Sequence, residues 1–197
     1  MTTLTETDGR ALLKLFKDFS RAYNANSLSK EIGITPRGAL KILKKLESHN
    51  MLKSRQLGKA TFYKPNLDDA YTSKVIETLL IDEAKDKAER WIDEFREIYS
   101  SSEIVLLFGS IIRNPKKASD IDVVFVFKKG NYKIISEFVD KKNEVLFKKI
   151  HEIPQTITDL KENLLKGNKA MIDAVKTGYV LYGSDKLIEV MKNVTSF

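Results

Sequence analysis

The sequence predicts an α+β protein in three parts: a helical block with a small basic hairpin at residues 1–66, a long connecting helix at 67–102, and an α/β block at 103–197. Three observations predict it. Apolar residues recur at helical spacing up to Leu46 and then give way to two short runs around Gly58-Lys59. Residues 67–102 contain neither glycine nor proline. Beyond them, β-branched and aromatic runs alternate with helical stretches.

In the first block, Leu12, Leu13, Leu15, Phe16 and Phe19 mark an amphipathic helix. Ser27 is placed to N-cap a short helix running through Ile32, which Gly33 ends. Thr35 caps a third helix with Pro36 in its first turn. Its apolar face reads as Ala39, Leu40, Ile42, Leu43 and Leu46. Residues 52–57 and 60–64 read as two strands around a glycine turn.

In the second block, Val75, Leu79, Ile81, Ala84, Ala88, Trp91, Ile92, Phe95 and Ile98 form a broad helical stripe. Either the next domain or a second copy must cover it, so a homodimer through this helix is one expected partnership. Trp91 reads as core. In the third block, residues 104–108 and 121–127 read as buried strands, 145–150 as a weaker third and 179–182 as a short fourth element. Helices are expected at 132–140, at 158–176 with an interruption at Gly167, and at 185–194; Gly183-Ser184 reads as a turn.

Charge is spread unevenly. The net +7 divides into 13 Lys/Arg against 5 Asp/Glu in residues 1–66, 5 against 10 in 67–102, and 16 against 12 in 103–197. The positive field therefore sits in the first third, as in a module that binds a polyanion. Cysteine is absent, which excludes disulfides and cysteine-ligated zinc and suits a reducing, cytoplasmic setting. The polar residues 1–10 do not read as a signal peptide, and the apolar run at 104–112 is too short to span a membrane.

The three helices, with Ser27-Leu-Ser-Lys-Glu-Ile-Gly-Ile-Thr-Pro-Arg37 at their turn and a basic hairpin behind, resemble the winged helix-turn-helix family over roughly residues 9–65. The resemblance implies DNA as partner and a recognition helix at 35–49. Arg37, Lys41, Lys44 and Lys45 would be its exposed cations, with Lys53, Arg55 and Lys59 on the wing.

The informative stretch is Ile104-Val-Leu-Leu-Phe-Gly-Ser110, nine residues, then Asp120-Ile-Asp122-Val-Val-Phe-Val-Phe127. Asp120 and Asp122 are two apart on a strand, so both project from one face. Two carboxylates there repel each other and lose hydration unless a cation lies between them. Magnesium, bound through one or two carboxylates and substrate phosphates, suits that place. Gly109-Ser110 ends the preceding strand, where glycine lets backbone approach a phosphate and N–H groups with a hydroxyl can hold it. Arg113, one turn on, is placed to neutralise charge.

This pattern resembles the nucleotidyltransferase superfamily of DNA polymerase beta, in the flavour of the minimal nucleotidyltransferases of prokaryotes, over roughly residues 103–197. The resemblance implies a small mixed sheet, metal held by the catalytic Asp120 and Asp122, and an NTP triphosphate held by Gly109 and Ser110. The implied reaction transfers a nucleoside monophosphate to a hydroxyl, one ion activating that hydroxyl and another stabilising the pyrophosphate. Active members carry a third carboxylate on a later strand. The matching strand here, Glu144-Val-Leu-Phe-Lys-Lys-Ile-His-Glu152, has Lys148 and Lys149 in its middle and acids only at its ends. Glu144 and Glu152 are the candidates to substitute, and neither falls well by alternation. His49 and His151 read as surface or capping residues. The alternative function is a DNA-binding regulator or antitoxin-like protein whose nucleotidyltransferase domain is catalytically degenerate.

Overall fold

A computed structural model describes residues 4–195. Residues 1–3 and 196–197, the outer ends of the first and third expected blocks, lie outside the described residues. The chain divides into two compact units, with the division in sequence between Leu79 and Leu80.

The first unit has the element order of a winged helix-turn-helix: α1 (Glu6–Lys17), α2 (Ala25–Ile32), α3 (Pro36–Ser48), then β1 (Leu52–Leu57) and β2 (Ala60–Pro65). Thr5 and Asp8 form a reciprocal capping box that starts α1. The cap of α2 lies three residues earlier than expected. Asn24 accepts from the Ser27 backbone, and Ser27 is the returning partner of that box. Gly33 ends α2 at φ 71°, and Thr35 caps α3 with Pro36 behind it, as the sequence indicates. β1 and β2 pair antiparallel from Leu52↔Pro65 to Leu57↔Ala60, closing on the Gly58-Lys59 turn. Tyr23 carbonyl accepts from the Tyr63 amide at 2.8 Å, tying the α1–α2 loop to the hairpin.

On α3 the apolar face needs correcting. Ala39, Leu43 and Leu46 are buried, at spacings of four and three, whereas Leu40 is 45% exposed. Leu40 lies three residues from Arg37 and four from Lys44, which puts it on their side of the helix.

α4 (Ala70–Glu94) crosses the division, and a 3₁₀ turn (Arg96–Ser101) follows it. Thr72, Ile76, Leu80, Ala84 and Ala88 recur every four residues and are buried in a single copy of the chain. Of the stripe read from sequence, Ala84, Ala88, Phe95 and Ile98 are buried, while Val75, Leu79, Trp91 and Ile92 are half-buried. Ile81, read into the stripe from sequence, is 42% exposed. Helical geometry is interrupted at Ala88 (φ −139°, ψ 19°). Among the described residues no helix is long and apolar enough to cross a membrane.

The second unit continues with β3 (Ile104–Phe108), α5 (Ser110–Arg113), β4 (Asp120–Val126), α6 (Tyr132–Val145), β5 (Lys149–Gln155), α7 (Ile157–Leu165), α8 (Lys169–Thr177), β6 (Tyr179–Tyr182) and α9 (Ser184–Val194). Its sheet has the order β5-β4-β3-β6 and is mixed: β3 runs antiparallel to β4 and β6, while β4 and β5 are parallel. One face packs Val105, Leu107, Ile121, Val123 and Phe125 against Phe95, Ile135 and Phe138. Phe95 touches both Phe125 and Phe138, each at 5.9 Å between ring centroids. The α8 helix packs on β3, and Leu106 comes against Gly178 at its end.

β5 begins four residues later than the sequence indicates. The apolar run Val145-Leu-Phe147 imitates a strand, but α6 continues through Val145 and is capped at Leu146. Val145 is 76% exposed and Phe147 wholly so.

Candidate functional site

The site forms where β3 ends beside the start of β4, in the register Phe108↔Asp122. Gly109 turns the chain out of β3 into α5 with φ 82°, a conformation that side chains rarely adopt. A Cβ at this position would lie 2.0 Å from Oδ2 of Asp122. Only glycine leaves room for that carboxylate, so the Gly-Ser turn and the Asp-x-Asp strand meet directly. Along β4, Asp120 and Asp122 are half-buried and alternate with the buried Ile121 and Val123.

The parallel pairing decides what joins them. Asp120 lies opposite Lys149 and Asp122 opposite His151, while Glu152 lies opposite Val123. Paired residues share a face, so Glu152 points away from the aspartates. Its Oε1 accepts from the Tyr132 hydroxyl at 3.2 Å, and its Oε2 is buried without a hydrogen-bond partner among the described residues. Glu144 lies exposed on α6. Neither stands in for a third carboxylate at Asp120 and Asp122.

The place opposite Asp122 is held by His151. Its Nδ1 lies 2.9 Å from Asp122 Oδ1. A carboxylate can only accept, so the ring N–H donates. His151 is a surface residue, as the sequence indicates, and what the pairing adds is its contact with Asp122. The signal that finds it is alternation from Lys149, which the early placement of β5 obscured. Among the described residues no group of three or more His, Cys, Asp or Glu converges in metal-binding geometry. Arg113 is exposed and faces Asp173 of α8 at 3.4 Å. His49, the other histidine, is the C-cap residue of α3.

In the first unit, Arg37 and Lys41 on α3 and Arg55 and Lys59 on the hairpin are exposed, with no ion pair among the described residues. Lys44 is exposed but engaged: its ammonium donates to Glu47 at 2.8 Å and lies 5.9 Å from the centre of the Tyr63 ring. The expectation for Lys45 as an exposed recognition cation is corrected, since its ammonium reaches back to α1 and donates to Asp8 at 2.7 Å. Asp8 is 2% exposed. Burial alone would raise its pKa, but hydrogen bonds from Lys45 and from the Thr5 backbone and hydroxyl outweigh it and hold the carboxyl below its ordinary value. On the hairpin, Lys53 is paired with Asp68.

A mixed sheet with a glycine turn pressed on the second carboxylate of an Asp-x-Asp strand defines a nucleotidyltransferase-type domain. Residues 88–184 match the family described as "Nucleotidyltransferase domain", so the second unit carries that domain. No curated protein matches the chain. Among solved structures, the zinc-responsive MarR family member ZitR of Lactococcus lactis is similar at 17% identity, over 73% of this chain and 76% of that one, with a TM-score of 0.33. One of its cysteine-to-serine mutants is similar at 16% identity, over 73% and 76%, with a TM-score of 0.34.

Proposed function

We propose that the second unit is a magnesium-dependent nucleotidyltransferase that moves a nucleoside monophosphate from an NTP to an acceptor hydroxyl, and that the first unit brings it to DNA. One observation carries the reading. The Gly109 backbone and the Asp122 carboxylate are in contact, so a phosphate held at the turn would lie beside the aspartates. Gly109 and Ser110 bind the triphosphate, the glycine by close backbone approach and the serine by its hydroxyl. Arg113 swings from Asp173 to meet phosphate charge. The acceptor oxygen bonds to the α-phosphorus, the bond to the β-bridging oxygen breaks, pyrophosphate leaves and the hydroxyl proton is released.

The donor set fits one hard divalent ion, because two carboxylates on one strand face match magnesium shared with substrate phosphates. Asp120 and Asp122 would hold it, and the ion would supply charge stabilisation to the phosphates. In the DNA-binding part, Arg37, Lys41, Arg55 and Lys59 make the phosphate and base contacts. The exposed Lys44 joins them, while Lys45, turned back to the buried Asp8, is left out. The absence of cysteine supports a cytoplasmic setting.

The second reading is a DNA-binding regulator or antitoxin-like protein that binds metal-nucleotide without turnover. His151 in the place of a carboxylate favours it. Magnesium-NTP titration into wild type and an Asp120→Asn/Asp122→Asn variant, with pyrophosphate release measured in the presence of candidate acceptors, separates the readings. Binding and release in wild type alone establish the enzyme, while binding without release establishes the regulator. Equal, negligible binding in both proteins overturns both. For the first unit, DNA affinity that does not fall with rising salt overturns the proposed interface.

A further inference from the structure

Ile121, between the two aspartates, faces the other side of the sheet and helps to line a cleft of about 220 Å³. Its walls include Ile111 behind the Gly-Ser turn, Trp91 from α4, and Phe147 and Lys148 from the α6–β5 loop, with Arg90 at the edge. Three features of this cleft stand together.

The first is aromatic surface left partly open. Trp91 stacks on Phe95 with ring centroids 6.1 Å apart, and it is only partly buried. Phe147 is fully exposed and forms part of the cleft wall. The second is charge. The Arg90 guanidinium lies 5.2 Å from the centre of the Trp91 ring and has no acid partner among the described residues. Lys148 donates to the Ala118 carbonyl, and exposed Lys116 and Lys117 follow Pro115 in the same loop. No acidic residue lines the cleft. The third is size, which suits one planar ring system and not a whole folded partner.

An aromatic platform inside a cationic rim is the arrangement that binds single strands of nucleic acid, with bases stacked on rings and phosphates held by cations. We propose that this cleft holds one base of a single-stranded nucleic acid, Trp91 and Phe147 stacking it and Arg90 and Lys148 taking the flanking phosphates. The proposal deepens the nucleotidyltransferase reading, on which it rests only for its meaning: the acceptor class would be a nucleic acid.

Trp91 is the only tryptophan in the chain, so its fluorescence reports on the cleft. Titrating the full-length protein with an unlabelled single-stranded oligonucleotide, without metal or NTP, should quench that emission saturably. Phe147→Ala should weaken the quench-derived affinity about tenfold, with Phe147→Leu similarly impaired because stacking needs the ring. Arg90→Ala/Lys148→Ala should weaken it and lessen its salt dependence by about one to two phosphate contacts. Phe147 is exposed, so its loss leaves folding intact. Because the titration contains neither metal nor NTP, it separates a failure of this cleft from a failure of catalysis. No quenching in wild type, unchanged affinity in Phe147→Ala, or equal quenching by a mononucleotide at the same concentration would overturn the proposal.

Discussion

His151 Nδ1 and Asp122 Oδ1 lie 2.9 Å apart across the parallel β4–β5 pair, at a register position where a third carboxylate would share the aspartates' face. A ring N–H there steadies Asp122 and brings no negative charge to a second ion. His151→Asp should supply the missing charge without altering the backbone, raising metal-dependent nucleotide affinity about tenfold or more. Calorimetric titration of magnesium-NTP into both proteins checks this, and equal affinity would remove His151 from the account.

Gly109→Ala should destabilise the second unit by about 1–3 kcal/mol, since it combines positive φ with collision against a carboxylate. In an Asp122→Ala background the same change should cost less, because the colliding oxygens are gone. Thermal unfolding of the four proteins of this cycle measures the difference. Additive costs would place the strain in the backbone alone.

The pair Asp8–Lys45 predicts an acid limb to stability. With its folded pKa held below the usual aspartate value, Asp8 contributes stability that is present above its unfolded pKa of 3.8 and is lost as pH falls through the folded value. Lys45→Met leaves the buried carboxyl with only its Thr5 partners, so stability at pH 7 should fall by about 1–3 kcal/mol. The acid midpoint should then move upward, because burial, which raises the pKa, loses its main opponent. Chemical denaturation across pH 3–7 follows both changes.

Leu40 and Leu43 should part company. Leu43→Ala, fully buried, should cost about 2–5 kcal/mol, whereas Leu40→Ala on the exposed face should stay within about 0.5 kcal/mol. Urea midpoints of the two variants test the register of α3. Equal costs would return Leu40 to the core.

Local chemistry in the sequence settled much of this protein. Pro36 behind Thr35, Gly33 after Ile32, and Gly58-Lys59 between two short runs each act within a few residues, so helix ends and the hairpin were legible at once. The same holds for Gly109-Ser110 and Asp120-x-Asp122, where residue type and strand period alone put two carboxylates on one face. Long-range register was another matter. Val145 and Phe147 have strand-like side chains, yet α6 takes Val145 and leaves Phe147 in solvent, and that four-residue shift hid His151. The partnerships Lys45–Asp8 and His151–Asp122 join positions 37 and 29 residues apart. No periodicity spans such distances. Sequence determined which elements form and where the carboxylates sit; the packing of α3 on α1 and of β5 on β4 decided which charges are free and what stands in the third ligand's place.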